Sequence, residues 1–218
     1  MGVFNGPNIS TDNLVLCVDA GNTKSYPGTG TSWVDLSDQG NNGTLTNGPT
    51  FSSSDGGSIV FDGTNDYVDL GDNFNLATGT FDFWFNLDNS PASTDRIWGK
   101  NQNFECRWTG TPQFVVDLGA SSSITSTKTD WSAGQWYNIT LTWNSSSNVS
   151  TLYVQGAQDT TGTATSPVGL TGNFRIGSSL DNSAYMDGKV AIFKVYNTVL
   201  TSAQVAENYN ANRSRFGL

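Results

Sequence analysis

Phe81, Phe83, Phe85 and Leu87 alternate with Asp82, Asn86 and Asp88, and only Trp84 interrupts the polar series. A two-residue period sends successive side chains to opposite sides of a pleated backbone. The stretch therefore predicts a half-buried β-strand with its phenyl rings on the core side. Shorter apolar segments follow the same habit at 14–19, 58–61, 67–70, 96–99, 104–108, 113–118, 136–143, 151–154, 174–177 and 189–196. The joints between them are rich in Gly, Asn, Ser and Thr. Many short strands with turn-rich joints define a β-sandwich or barrel.

The chain has 218 residues, 13% charged and 12% aromatic. That is too many rings for a solvated tail, and it is the length of one all-β domain. One helix is expected near the end, over 202–208. Thr201 is its N-cap, Gln204 completes a capping box, and Leu200 with Val205 forms a hydrophobic staple. The organisation expected is an irregular arm at 1–12, one sandwich domain at 13–210 and a short tail at 211–218. No stretch approaches the ~20 apolar residues of a membrane span. Met1–Ser10 has neither a basic nor an apolar signal region, so no secretory signal is expected.

Several motifs carry a family resemblance. They are Trp33-Val34-Asp35-Leu36-Ser37 with Gly40-Asn41-Asn42-Gly43-Thr44, Phe61-Asp62-Gly63-Thr64-Asn65-Asp66-Tyr67-Val68, and the strand around Trp84. Gly134–Trp143, Leu152-Tyr153-Val154, Phe174-Arg175-Ile176-Gly177, Asp187-Gly188-Lys189-Val190 and Val195-Tyr196-Asn197 complete the set. Together they resemble laminin-G-like domains of the concanavalin A-like type. The resemblance implies an all-β, two-sheet antiparallel jelly-roll sandwich with one short C-terminal helix. Asp38 departs from the pattern, standing where Gly is usual after Asp-Leu-Ser. A narrower resemblance joins the last twenty residues to the opening Asp19-Ala20-Gly21-Asn22 and Lys24-Ser25-Tyr26-Pro27-Gly28. That pairing is similar to bacteriophage virion proteins carrying this domain, and it implies a particle component folded in the host cytoplasm.

The chemistry available is narrow. The chain contains no histidine, which removes Ser-His-Asp and Cys-His catalysis and most zinc sites. Its only glutamates are Glu105 and Glu207, and nothing in the sequence pairs either with a second carboxylate, as glycoside hydrolysis requires. A non-enzymatic protein is expected. The net charge of −9 disfavours nucleic acid and anionic membranes as partners. It suits Ca²⁺, which takes oxygen ligands. Asp62 and Asp66 are the first candidates for that ion, with Asp69, Asp72, Asp181 and Asp187 nearby. The alternative for Asp62 and Asp66 is a pair of turn residues bonded to local backbone N–H groups. For carbohydrate, Trp108 beside a turn-like stretch is the candidate stacking platform. Arg213, Arg215 and Phe216 are the candidate contacts to other capsid or tail proteins, the alternative being a frayed terminus. Cys17 and Cys106 make no disulfide framework, and their pairing with each other stays open. The function expected is a capsid decoration or tail-associated protein acting by protein contact. The alternative is a lectin-like module for host-surface glycan.

Overall fold

The computed structural model describes residues 8–90, 95–101, 103–109, 113–119, 122–164, 167–179 and 184–218. The strands are β1 (Leu14–Asp19), β2 (Ser32–Trp33), β3 (Gly43–Thr46), β4 (Thr50–Ser52), β5 (Ser58–Asp62) and β6 (Tyr67–Asp69). Next come β7 (Thr78–Leu87), β8 (Arg96–Asn101), β9 (Phe104–Thr109), β10 (Gln113–Leu118) and β11 (Ser123–Thr125). Then follow β12 (Trp136–Asn144), β13 (Val149–Val154), β14 (Ala157–Gly162), β15 (Arg175–Ile176) and β16 (Asp187–Tyr196). They form two antiparallel sheets. The first has the order β14-β13-β12-β7-β16-β5-β4, and the second β11-β10-β9-β8-β15-β6-β3-β2. β1 pairs with the second half of β16, and β5 with the first half. The change of neighbour falls at Ala191, where β16 bulges against β7. The two-sheet sandwich and C-terminal helix expected from the sequence are thus both present.

The core between the sheets is aromatic. Phe81 meets Trp98 edge-on at 4.9 Å and Trp143 at 5.0 Å, and packs on Phe104, Phe174 and Phe193. Edge-to-face contact sets the positive rim of one ring against the negative face of another. Gly79 makes room for this cluster, since a Cβ there would lie 2.5 Å from the Trp143 ring.

The expectation of a half-buried strand at 81–88 is corrected. Asp82 and Trp84 have no exposure and Asn86 only 4%, so β7 is buried on both faces. The cover is the C-terminal helix α1 (Ser202–Asn212) and the 3-10 turn Arg213–Phe216. The helix starts with the expected capping box at Thr201 and Gln204 but runs beyond residue 208. Tyr209 stacks on Trp84 at 5.6 Å, and Phe216 stacks on the same indole at 4.3 Å. Residues 211–216 are therefore part of the packed domain. The two-residue period had assigned the strand one dry face, but a helix supplied from far along the chain dried the other.

Beneath that cover lies a buried polar network. The Asp82 carboxylate accepts from Asn138 Nδ2 at 2.7 Å, Asn208 Nδ2 at 3.0 Å and Lys194 Nζ at 3.2 Å. Asn208 belongs to the helix, and its Oδ1 accepts from the Ser10 backbone N–H at 2.8 Å. Cys17 lies opposite Lys194 on this outer face, whereas Cys106 lies in the inter-sheet core. Strand alternation thus places the two sulfurs on different layers, and both are free thiols. Burial pushes the Cys17 thiol up to about 11.

Removing Asp82 leaves the Lys194 ammonium enclosed without its counter-charge. Asp82→Ala is expected to cost about 3–5 kcal/mol in urea denaturation. Lys194→Met added to it returns part of that loss, read as non-additivity in a double-mutant cycle.

Candidate functional site

Four strand ends converge at one rim of the sandwich. β5 ends at Asp62, β7 ends at Leu87 just before Asn89 and Ser90, β8 starts beyond Asp95, and β16 starts at Asp187. Together with Gly63 and Tyr185 these residues line a pocket of about 270 Å³. Register fixes its floor. Asp62 pairs with Asp187 across the β5–β16 ladder, and Gly63 N–H donates to Met186 O at 3.0 Å. The Asp187 carboxylate accepts from the Asn89 side-chain amide, which joins the loop after β7 to the start of β16. Lys189 is turned away to Asp88 at 2.7 Å, and among the described residues no Lys or Arg lines the pocket. The lining offers carboxylate acceptors, an amide, two hydroxyls and one aromatic ring. That set matches a polyhydroxylated, uncharged ligand.

The expected calcium pair is only partly in this place. Asp62 lines the pocket, but its Oδ1 accepts from Thr64 N–H at 2.9 Å. Asp66 is 4% exposed, and its Oδ2 accepts from Asp62 N–H at 3.3 Å. Both carboxylates bond backbone N–H groups at the turn between β5 and β6. Among the described residues no three Asp, Glu or Cys side chains stand close enough together to hold a metal ion. Asp69 is bound to Asn173 and Asp72 to Lys100, and Asp181 lies outside the described residues. Asp38, the departure from the family pattern, takes the left-handed conformation at φ 64°, which Asp tolerates better than most residues.

Trp108 is corrected as a sugar platform. It is 1% exposed, on β9, with its ring edge-on to Phe114 at 4.8 Å and to Trp131 at 5.6 Å. Alternation turns it inward with Phe104 and Cys106. The other six tryptophans are also at most 7% exposed. The particle-docking residues are corrected in part. Phe216 is buried on Trp84 and Trp136, and Arg215 bonds Asp19 at 2.7 Å. Of the three, Arg213 alone is exposed.

The sequence shows no paired carboxylates, but the fold pairs Glu105 and Asp117 as well as the rim carboxylates Asp62 and Asp187. Asp117 on β10 lies directly opposite Glu105 on β9, on the outer face of the second sheet. Arg107 Nε reaches Asp117 at 2.6 Å and Glu105 at 3.4 Å, while Arg96 holds Glu105 at 3.1 Å. Burial raises the Glu105 pKa and the Arg96 charge opposes the rise. Both carboxylates are engaged in this ion-pair network, with side-chain exposures of 5% and 14%.

A sequence profile described as Concanavalin A-like lectin/glucanases superfamily (Laminin_G_3) matches residues 62–206. Solved structures share the fold. Domain 4 of AbnA, a GH43 extracellular arabinanase from Geobacillus stearothermophilus, in complex with arabinotriose, gives a TM-score of 0.70 at 18% identity. The match covers 90% of this chain and 98% of that one. The binding domain of Paraclostridial Mosquitocidal Protein 1 gives 0.69 at 16%, over 92% of this chain and 52% of that one. Trypanosoma rangeli sialidase in complex with sialic acid gives 0.69 at 16%, over 95% and 34%. The chain thus spans nearly all of the first, half of the second and a third of the third. At these identities the likeness is one of fold. A search of curated proteins returned no match.

Burial raises the Asp66 pKa, and the neighbouring Asp62 charge acts in the same direction. A folded pKa above the unfolded one means that the charged form costs stability at neutral pH. That cost fades as pH falls through the raised pKa toward the unfolded value of about 3.9. Asp66→Asn keeps an acceptor for Asp62 N–H. It is expected to stabilise the fold by up to about 1 kcal/mol at pH 7, with the gain shrinking in thermal melts at acid pH.

Proposed function

The chain belongs to the concanavalin A-like lectin/glucanases superfamily, and from that membership and its rim pocket we propose that it is a non-catalytic glycan-binding module. The observation that carries this reading is the convergence of Asp62, Asp187, Asn89 and Tyr185 on one cavity. The Asp62 and Asp187 carboxylates accept hydrogen bonds from ring hydroxyls, the Asn89 amide adds a further polar partner, and the Tyr185 ring meets the apolar face of the sugar. Three carboxylates without a lining cation favour neutral over acidic sugars. The proposed binding does not rest on calcium, and an EDTA arm tests that. Non-catalysis is supported by the absence of histidine and by the arginines engaging Glu105 and Asp117.

A glycan array, run with and without EDTA, tests the reading. Binding to neutral glycans is expected, with at least a tenfold loss in Asp187→Ala and Tyr185→Ala. Absence of binding under every condition overturns it. Polysaccharide turnover by the unmodified chain would instead make the protein an enzyme, and its survival in Glu105→Gln would exclude Glu105 as the acting carboxylate.

A second reading, a structural component of a bacteriophage particle in contact with capsid or tail proteins, draws on the resemblance of the two chain ends. The fold brings those ends together at the Arg215–Asp19 ion pair, which is the observation in its favour. Mass spectrometry of purified particles is expected to detect the chain if this reading holds, and its absence there rejects it. The two readings are compatible if the particle presents the rim pocket outward.

A further inference from the structure

The segment Asp19-Ala20-Gly21-Asn22 through Tyr26-Pro27-Gly28 plays no part in the rim pocket, yet it builds a second cavity. Where β1 gives way to β5 along β16, Ala20 N–H donates to Ala191 O at 2.9 Å. Beside that junction lies a pocket of about 210 Å³. Four residues of β5 lie between its Gly57 and Asp62, a span of about 16 Å of extended chain.

Its walls are apolar and neutral. Ala20, Pro27 and the ring pair Tyr26–Phe51 form them, the two rings 5.6 Å apart at 44°. The Tyr26 hydroxyl is already committed to Gly30 O at 2.8 Å. No charged side chain lines the cavity, which sets it apart in a chain of net charge −9. Apart from backbone groups of its four glycines, its remaining polar groups are the side-chain hydroxyls of Thr23 and Ser53, and both of these residues are exposed.

The cavity is held open by bonds that need no ligand. Asn22 O accepts from Ser25 N–H and Tyr26 N–H, both at 2.8 Å, and Ser25 Oγ ties this turn to Val34 O at 2.6 Å. Behind the backbone of Gly21, Gly56 and Gly57, outside the lining itself, Arg215 bonds Asp19 Oδ1, Asp55 O and Gly57 O, so one guanidinium joins β1 to the turn before β5. That approach requires Gly21, where a Cβ would sit 2.7 Å from Arg215 Nη2 and 2.1 Å from Gly56 O.

We propose that this pocket binds one uncharged apolar ring of phenyl size. An enclosed apolar cavity of about 150 Å³ accepts benzene, and this pocket, open on its Thr23 and Ser53 side, has room for a ring of that size. A charged ligand finds no partner here. A sugar ring would set those of its hydroxyls that face the Ala20, Tyr26 and Phe51 walls against carbon, without hydrogen-bond partners. A preformed wall spares the ligand the entropy of ordering it. The site is separate from the rim pocket, so it stands or falls independently of glycan binding.

Phenol titrated into the full chain, followed by ¹H–¹⁵N NMR, tests this. Saturable shifts confined to the amides of Ala20, Gly28, Phe51 and Gly57 are expected, with a Kd on the order of 1 mM. Ser53→Trp and, separately, Thr23→Trp place an indole at the mouth from exposed positions. Each is expected to weaken phenol binding at least tenfold while leaving the rest of the spectrum in place. Non-saturable or scattered shifts, or phenol binding retained in both variants, overturn the proposal. So does methyl β-glucoside shifting the same amides as strongly as phenol.

Discussion

A carboxylate without solvent exposure is stable only when its lone pairs are met, and three chain segments meet those of Asp82. Lys194 comes from the neighbouring strand, Asn138 from the strand on the other side, and Asn208 from the C-terminal helix. Asn208 in turn holds Ser10, at the beginning of the described chain. The first sheet, the helix and the N-terminal segment are thereby joined at one anion. A buried pair of this kind repays its desolvation only when the geometry is good and the spare donors and acceptors are filled. The stacking of Tyr209 and Phe216 on Trp84 depends on the same docking of the helix.

That cover decides which surfaces remain for function. With the outer face of β7 and β16 closed by the chain's own end, the aromatic residues there are spent on packing. The inter-sheet core takes Trp33, Trp98, Trp108, Trp131 and Trp143, while the helix closes over Trp84 and Trp136. Two places among the described residues keep shape and free chemistry: the rim, where four strand ends bring carboxylates and Tyr185 together, and the junction between β1 and β5. The first is polar and acidic, the second apolar and neutral, so they suit different ligands.

The second sheet shows how register can pair residues that are silent in sequence. Glu105 and Asp117 are twelve positions apart, and their relation appears only when β9 and β10 are aligned. The same alignment brings Arg107 between them. A carboxylate pair and its neutralising cation arise from one hairpin.

The sequence by itself determined the sandwich, because a two-residue period with turn residues at its breaks leaves few other ways to bury the rings. It also determined the helix start, since capping is local: Thr201 and Gln204 are three residues apart. Asp62 was legible as a candidate site residue, and it lines the rim pocket. Asn89, Asp95 and Tyr185 carried no signal, being ordinary polar or aromatic residues near strand ends with nothing local to mark them. Only the tertiary structure decided that Trp108 faces inward, that Arg215 and Phe216 close the chain on itself, and that β7 is dry on both faces. Periodicity states how many faces a strand has, but which of them meets water depends on what arrives from elsewhere in the chain.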